Sequence, residues 1–145
     1  MYNSLRIGAD PTWWELSEGV EQLPTFGVPV VLPVSHPFEG NLVVSPRSVD
    51  SAVFLEGFHY HRATRPNGIL LPEQVLYVPS PTGPDVHSNP PNFYTLPSAV
   101  DLAALQADII AAMTDETFLT VNLTSGVIVI NGAAVAFAVL CSPRP

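Results

Sequence analysis

The dipeptide Asn131-Gly132, set between the apolar runs Val127–Ile130 and Ala133–Leu140, constrains this chain more than any other feature. Asn-Gly suits the two left-handed positions of a type I′ turn, so the pattern predicts a β-hairpin. A two-residue loop would pair Ile130 with Ala133 and Ile128 with Val135. One face then carries Ile128, Ile130, Val135, Phe137 and Val139. The other carries Val127, Val129, Ala134, Ala136, Ala138 and Leu140.

The preceding run, Phe118–Leu123, alternates with Thr120 and Asn122. If Ser125-Gly126 forms the turn, Leu119, Val121 and Leu123 extend the bulky face, and Thr120 and Asn122 extend the alanine face. A one-residue slip would bury Thr120 and Asn122 among isoleucines, at the cost of unpaired polar groups. The expected product is a C-terminal three-stranded meander over 118–123, 127–130 and 133–140. Its bulky face belongs to the core, and its alanine face suits either a closely packed helix or another subunit.

One main helix is predicted over about 98–114. Ser98 and Asp101 have capping-box-like spacing. Leu102, Leu105, Ile109 and Met113 recur on one stripe, and Ala103, Ala104, Ala107 and Ala111 raise helix propensity. A short helix is also expected near the start, where Asp10 can cap, Pro11 fits the first helical position and Gly19 is a natural stop. Between these, Pro24, Pro29, Pro33 and Pro37 mark an extended or edge segment, because proline cannot donate to a sheet ladder. Strands are expected at 41–45, 52–61 and 69–78, with a turn at Pro66-Asn67-Gly68. Residues 79–97, rich in proline, read as an irregular loop anchored by Val86, Phe93, Tyr94 and Leu96. The fold class is therefore α+β, mostly antiparallel β, with proline-rich extended arms. A length of 145 residues suits a single domain, with an N-terminal aromatic and proline-rich arm over 1–38.

Charge narrows the function. Thirteen acidic residues against five basic ones leave the chain at −8, and all five basic residues are arginines. Phosphate neutralisation needs clustered Lys and Arg, so nucleic acid and anionic membrane surfaces are not expected partners. Charged residues make up only 12% of the chain, about half the roughly 25% usual for soluble domains. Interface cores are depleted in charge, and a shortage of this size suggests surface covered by other subunits. The single cysteine, Cys141, ends an apolar strand and reads as a buried side chain rather than a nucleophile. The first ten residues lack the order of a signal peptide, and no apolar run is long enough to span a bilayer, so cytoplasmic synthesis is expected.

Candidate sites are few. His59 and His61 would project to one face of a strand and could share a metal ion, with His36, His87 or Glu56 as the third ligand. The competing reading is a pair of solvated histidines near a strand end. Trp13 and Trp14 read as anchors, onto the chain's own core or onto a neighbour. Ala134, Ala136 and Ala138 are the candidate contact residues of the small face. No Gly-x-Ser-x-Gly, phosphate loop or acid–base pair stands out, and no cofactor is implied.

The expected function is a non-enzymatic structural or assembly protein, a homo-oligomer or a subunit of a larger complex. Capsid decoration and tail proteins of virions combine such features. The absence of lysine, with abundant Ala, Val and Pro, suggests a GC-rich bacterial or phage source. The alternative is a small binding or metal-dependent enzymatic domain using His59 and His61, with the 79–97 loop as a lid.

Overall fold

The computed structural model of the chain describes residues 1–24, 27–57, 73–80 and 92–143. These form β1 (Tyr2–Ile7), β2 (Trp14–Val20), β3 (Val30–His36), β4 (Gly40–Val44), β5 (Ala52–Leu55), β6 (Val75–Tyr77) and β7 (Phe93–Thr95). Helix α1 (Leu102–Asp115), β8 (Phe118–Leu123), β9 (Gly126–Asn131) and β10 (Phe137–Cys141) follow. Among the described residues the strand pairing is antiparallel throughout and there is one helix, an α+β class. An eight-stranded sheet runs β5-β1-β2-β3-β4-β10-β6-β7, and β8 and β9 form a separate two-stranded sheet.

The N-terminus differs from the expectation of a helix and an arm. Asp10 does accept the Thr12 backbone N–H at 2.9 Å, but this closes an Asx turn that leads into a strand rather than capping a helix. Trp14 and Leu16 are buried with Glu15 between them, a period of two rather than 3.6. Segment 30–36 is likewise an interior strand, lying between β2 and β4. Pro33 is tolerated there because it is exposed and sits beside a register shift in the β2–β3 ladder, where Glu15 faces His36 and Leu16 faces Val34.

The C-terminal meander is corrected in one essential respect. β8 and β9 keep the expected faces but pair two residues away from the expected register, with Leu119 opposite Ile130, Val121 opposite Ile128 and Leu123 opposite Gly126, so the turn is Thr124-Ser125 rather than Ser125-Gly126. β9 and β10 do not pair. Instead β10 lies between β4 and β6, with Val139 opposite both Leu42 and Tyr77. Asn131-Gly132 is thus a crossing between two sheets. The Asn131 carbonyl accepts from Ala134 and Val135, and its side-chain Oδ1 accepts from the Ala133 N–H at 3.0 Å. Gly132 is needed for closeness rather than for a left-handed turn. Its N–H donates to the Thr117 carbonyl at 2.8 Å, and a Cβ there would lie 2.0 Å from the Ala112 carbonyl oxygen at the helix end.

Two cores lie on opposite faces of the middle strands. Leu42 and Val44, Phe137 and Val139, and Val75 and Tyr77 face one core, which also holds Leu5, Trp14 and Leu16. Val43, Ala138, Leu140 and Leu76 face the other, beneath Leu105, Ile109 and Met113 of α1 and Val121 and Ile130 of the hairpin. Burial on both faces explains why β10 reads as a nearly unbroken apolar run. The first core also shows that the large sheet is rolled. β2 and β6 are four strand positions apart, roughly 19 Å across a flat sheet. Yet the Trp14 and Tyr77 rings meet edge-to-face at 5.3 Å, and Tyr77 also contacts Phe93 at 4.6 Å.

Helix α1 begins later than predicted from Ser98. Asp101 is the N-cap, accepting from the N–H groups of Ala103 and Ala104, and the helix ends at Glu116 in the left-handed region. The predicted stripe is the buried face at Leu105, Ile109 and Met113, while Leu102 is only half-buried.

Candidate functional site: a cleft and an exposed hairpin face

A cleft of about 540 Å³ lies between the β1–β2 turn, the segment after β6, and the β9–β10 crossing. The turn places Asp10 in it. Gly8 adopts φ 55°, and its N–H donates to the Ser51 carbonyl at 2.7 Å. Asp10 Oδ2 accepts the Tyr77 hydroxyl at 2.5 Å, while Thr12 Oγ1 lies 3.3 Å from the same hydroxyl. Burial pushes the Tyr77 phenol well above its ordinary value, and the Asp10 carboxylate adds to the effect. Tyr77 is therefore a neutral donor that holds Asp10 in place, and it is poorly matched to acid–base work near neutrality. Ser48 and Asp50 also line the cleft, but Ser48 Oγ donates to the Ala133 carbonyl at 2.9 Å. The described lining residues bring together hydroxyls and carboxylates without a nucleophile–base pair. They fix the β1–β2 turn against β6 and the crossing against the 45–50 loop.

The second feature is the outer face of the β8–β9 hairpin. Its inner face, with Val121 and Ile130, covers the second core. The outer positions pair Phe118 with Asn131, Thr120 with Val129 and Asn122 with Val127. Phe118 is 72% exposed, Val127 62% and Val129 57%. Three large apolar side chains thus share one face of a two-stranded sheet with small neutral polar groups. Thr117 to Pro143 contains no charged residue. Contiguous apolar surface of this kind, unrelieved by charge, is characteristic of contact sites.

The residues singled out from sequence fall in different places. His59 and His61 lie outside the described residues, as do His87 and the expected turn at Pro66-Asn67-Gly68. Among the described residues, no group of three His, Cys, Asp or Glu side chains could hold a metal ion. His36 is buried within β3. Trp14 and Ala138 are core residues, 1% and 0% exposed, so neither can touch another subunit. Trp13 is half-buried on the sheet surface with the Arg6 guanidinium 5.0 Å from its ring centre. Ala136 packs against the first core, and Ala134 is exposed at the cleft. The small face therefore splits. Its alanine end goes under the helix or beside the cleft, and its Val127, Val129, Thr120 and Asn122 end remains open. Phe118 was missed because it begins its strand. The signal that marks it is the uncharged stretch that follows Glu116.

Cys141 is buried, and burial pushes its thiol well above the ordinary value. No helix among the described residues is long and apolar enough to cross a membrane. Comparison of the chain with protein-family models, with curated proteins and with solved structures returned no match.

Proposed function

We propose that this chain is a non-enzymatic structural or assembly subunit, working through protein–protein contact at the outer face of the β8–β9 hairpin. The observation that carries the reading is the joint exposure of Phe118, Val127 and Val129 on that face. The low charge of the chain agrees with it. A capsid or tail component of a virion, from a bacterial or phage source, is the setting that fits a lysine-free, Ala-, Val- and Pro-rich composition.

The test uses Phe118→Glu and Val129→Glu, measured by light scattering coupled to gel filtration. Both side chains are exposed, so each variant should melt within a few degrees of the wild type. Each should shift the chain from an oligomer toward a monomer. Variants that remain as oligomeric as the wild type would exclude this face as the contact.

A further inference from the structure

We infer that β9 is a pairing edge at which two copies of this chain meet main chain to main chain, joining their hairpins into one four-stranded antiparallel sheet. This rests on the assembly reading above and names its partner and geometry.

The first argument is the ladder. β8 and β9 are joined by Thr124-Ser125, with Leu123 opposite Gly126. In a two-residue hairpin the pair flanking the loop exchanges hydrogen bonds, and bonded and non-bonded pairs then alternate. Leu123 with Gly126, Val121 with Ile128 and Leu119 with Ile130 are the bonded pairs. Val127 and Val129 therefore direct their N–H and C=O groups away from β8. Among the described residues, no turn, loop or cross-element backbone bond uses those groups.

The second argument is the lack of protection. Natural edge strands are blunted by charge, proline, bulges or a covering element. β9 carries Val127-Ile128-Val129-Ile130, four β-branched residues in a row, with neither charge nor proline. Its β8 ladder runs without a register shift. An edge of this composition is left unprotected only where something pairs with it.

Charge selects the occupant. A twofold contact brings each residue close to its own copy, and a chain at −8 makes most such contacts repulsive. The uncharged stretch Thr117 to Pro143 is where two acidic copies can approach without like charges facing each other. A basic partner would be drawn to the acidic faces instead. With the twofold axis at Ile128, Val127 of one copy faces Val129 of the other, giving four main-chain hydrogen bonds. The outer valines then merge into one apolar strip beside Phe118. Asp10 and Asp50 line the cleft with Val129, so added salt should strengthen association or leave it unchanged.

Residue-resolved amide exchange on the full chain, at concentrations spanning monomer and oligomer, tests the pairing. The amides of Ile128 and Ile130 serve as internal controls, since the β8 ladder protects them in either state. Val127 and Val129 should exchange fast when dilute and slow when concentrated. Val129→Pro removes two of the four intermolecular bonds and no β8 bond, and should weaken dimerisation roughly 10- to 100-fold. Thr120→Pro, on the outer edge of β8, should leave the dimer intact. An oligomer whose Val127 and Val129 amides exchange freely would overturn the edge pairing but not the assembly reading. A monomer at every concentration would overturn both. Slow exchange at these amides in a strict monomer would mean that the chain covers its own edge, and would also overturn the inference. If Val129→Pro does not fold by circular dichroism, the wild-type exchange pattern decides alone.

Discussion

Replacing Gly132 with alanine places a methyl group where two backbones already touch. A Cβ at this position lies 2.0 Å from the Ala112 oxygen, 2.4 Å from its carbonyl carbon and 2.7 Å from the Thr117 oxygen. All three are main-chain atoms, so no side chain can swing aside, and the end of α1 must move from the crossing. Overpacking of this kind costs about 1–3 kcal/mol. Two hydrogen bonds meet at the same corner, Gly132 N–H to Thr117 at 2.8 Å and Thr117 N–H to Ala112 at 3.0 Å, each worth about 1 kcal/mol. The expected loss is therefore about 2–5 kcal/mol, a large part of the stability of a small domain. Gly126→Ala is the control, because nothing lies within 4 Å of its added Cβ and its backbone is strand. It should change stability by less than about 1 kcal/mol. Urea unfolding at a fixed protein concentration measures both, with an unchanged slope showing that the midpoint shift reports stability. A loss below about 1 kcal/mol for Gly132→Ala, or equal losses at the two glycines, would refute the close approach of the crossing to the helix end.

Ala138→Arg should prevent folding, as its side chain is 0% exposed beneath α1 and an unpaired buried charge costs several kcal/mol; Ala134→Arg, at an exposed position, should stay within about 0.5 kcal/mol of the wild type in the same melts. Asp101→Ala removes the cap bonds to Ala103 at 2.9 Å and Ala104 at 3.4 Å and should cost about 1 kcal/mol, whereas Ser98→Ala should cost less than half of that by thermal denaturation. Tyr77 has its phenol raised in the folded state, so its contribution is complete below the unfolded value of about 10 and is lost as pH rises above it. Stability should fall by up to about 1.4 kcal/mol per pH unit above pH 10, a slope reduced in Tyr77→Phe. Cys141, buried with its thiol also raised, should react with a thiol reagent at pH 8 only after denaturant is added.

Local pattern made several elements legible. The stripe Leu105, Ile109 and Met113 marked α1, and the alternation of Phe118–Leu123 settled which side chains β8 and β9 share on each face, because a one-residue slip would have buried Thr120 and Asn122. The two-residue shift to a Thr124-Ser125 turn leaves those faces unchanged and so left no mark in the pattern. Two signals were real but served other ends. Asp10 does bond to a nearby N–H, yet the residues after it alternate with a period of two, so the turn opens a strand. Asn131-Gly132 does reverse the chain, yet β10 finds its partners at Leu42 and Tyr77, far away in sequence. Nothing local could announce that, since the pairing is set by burial on both faces. β1 was hidden because Tyr2–Ile7 is short and interrupted by Asn3, Ser4 and Arg6. The contact surface was half visible. Val127 and Val129 were grouped with the small residues on the correct side of the hairpin, but the alanines in that group turned out to belong to other surroundings.

Sedimentation equilibrium of the unmodified chain, from low to high micromolar concentration, tests the central claim most directly. The account requires a mass that rises with concentration from 15.6 kDa toward at least twice that value. A mass of 15.6 kDa throughout the range would contradict it.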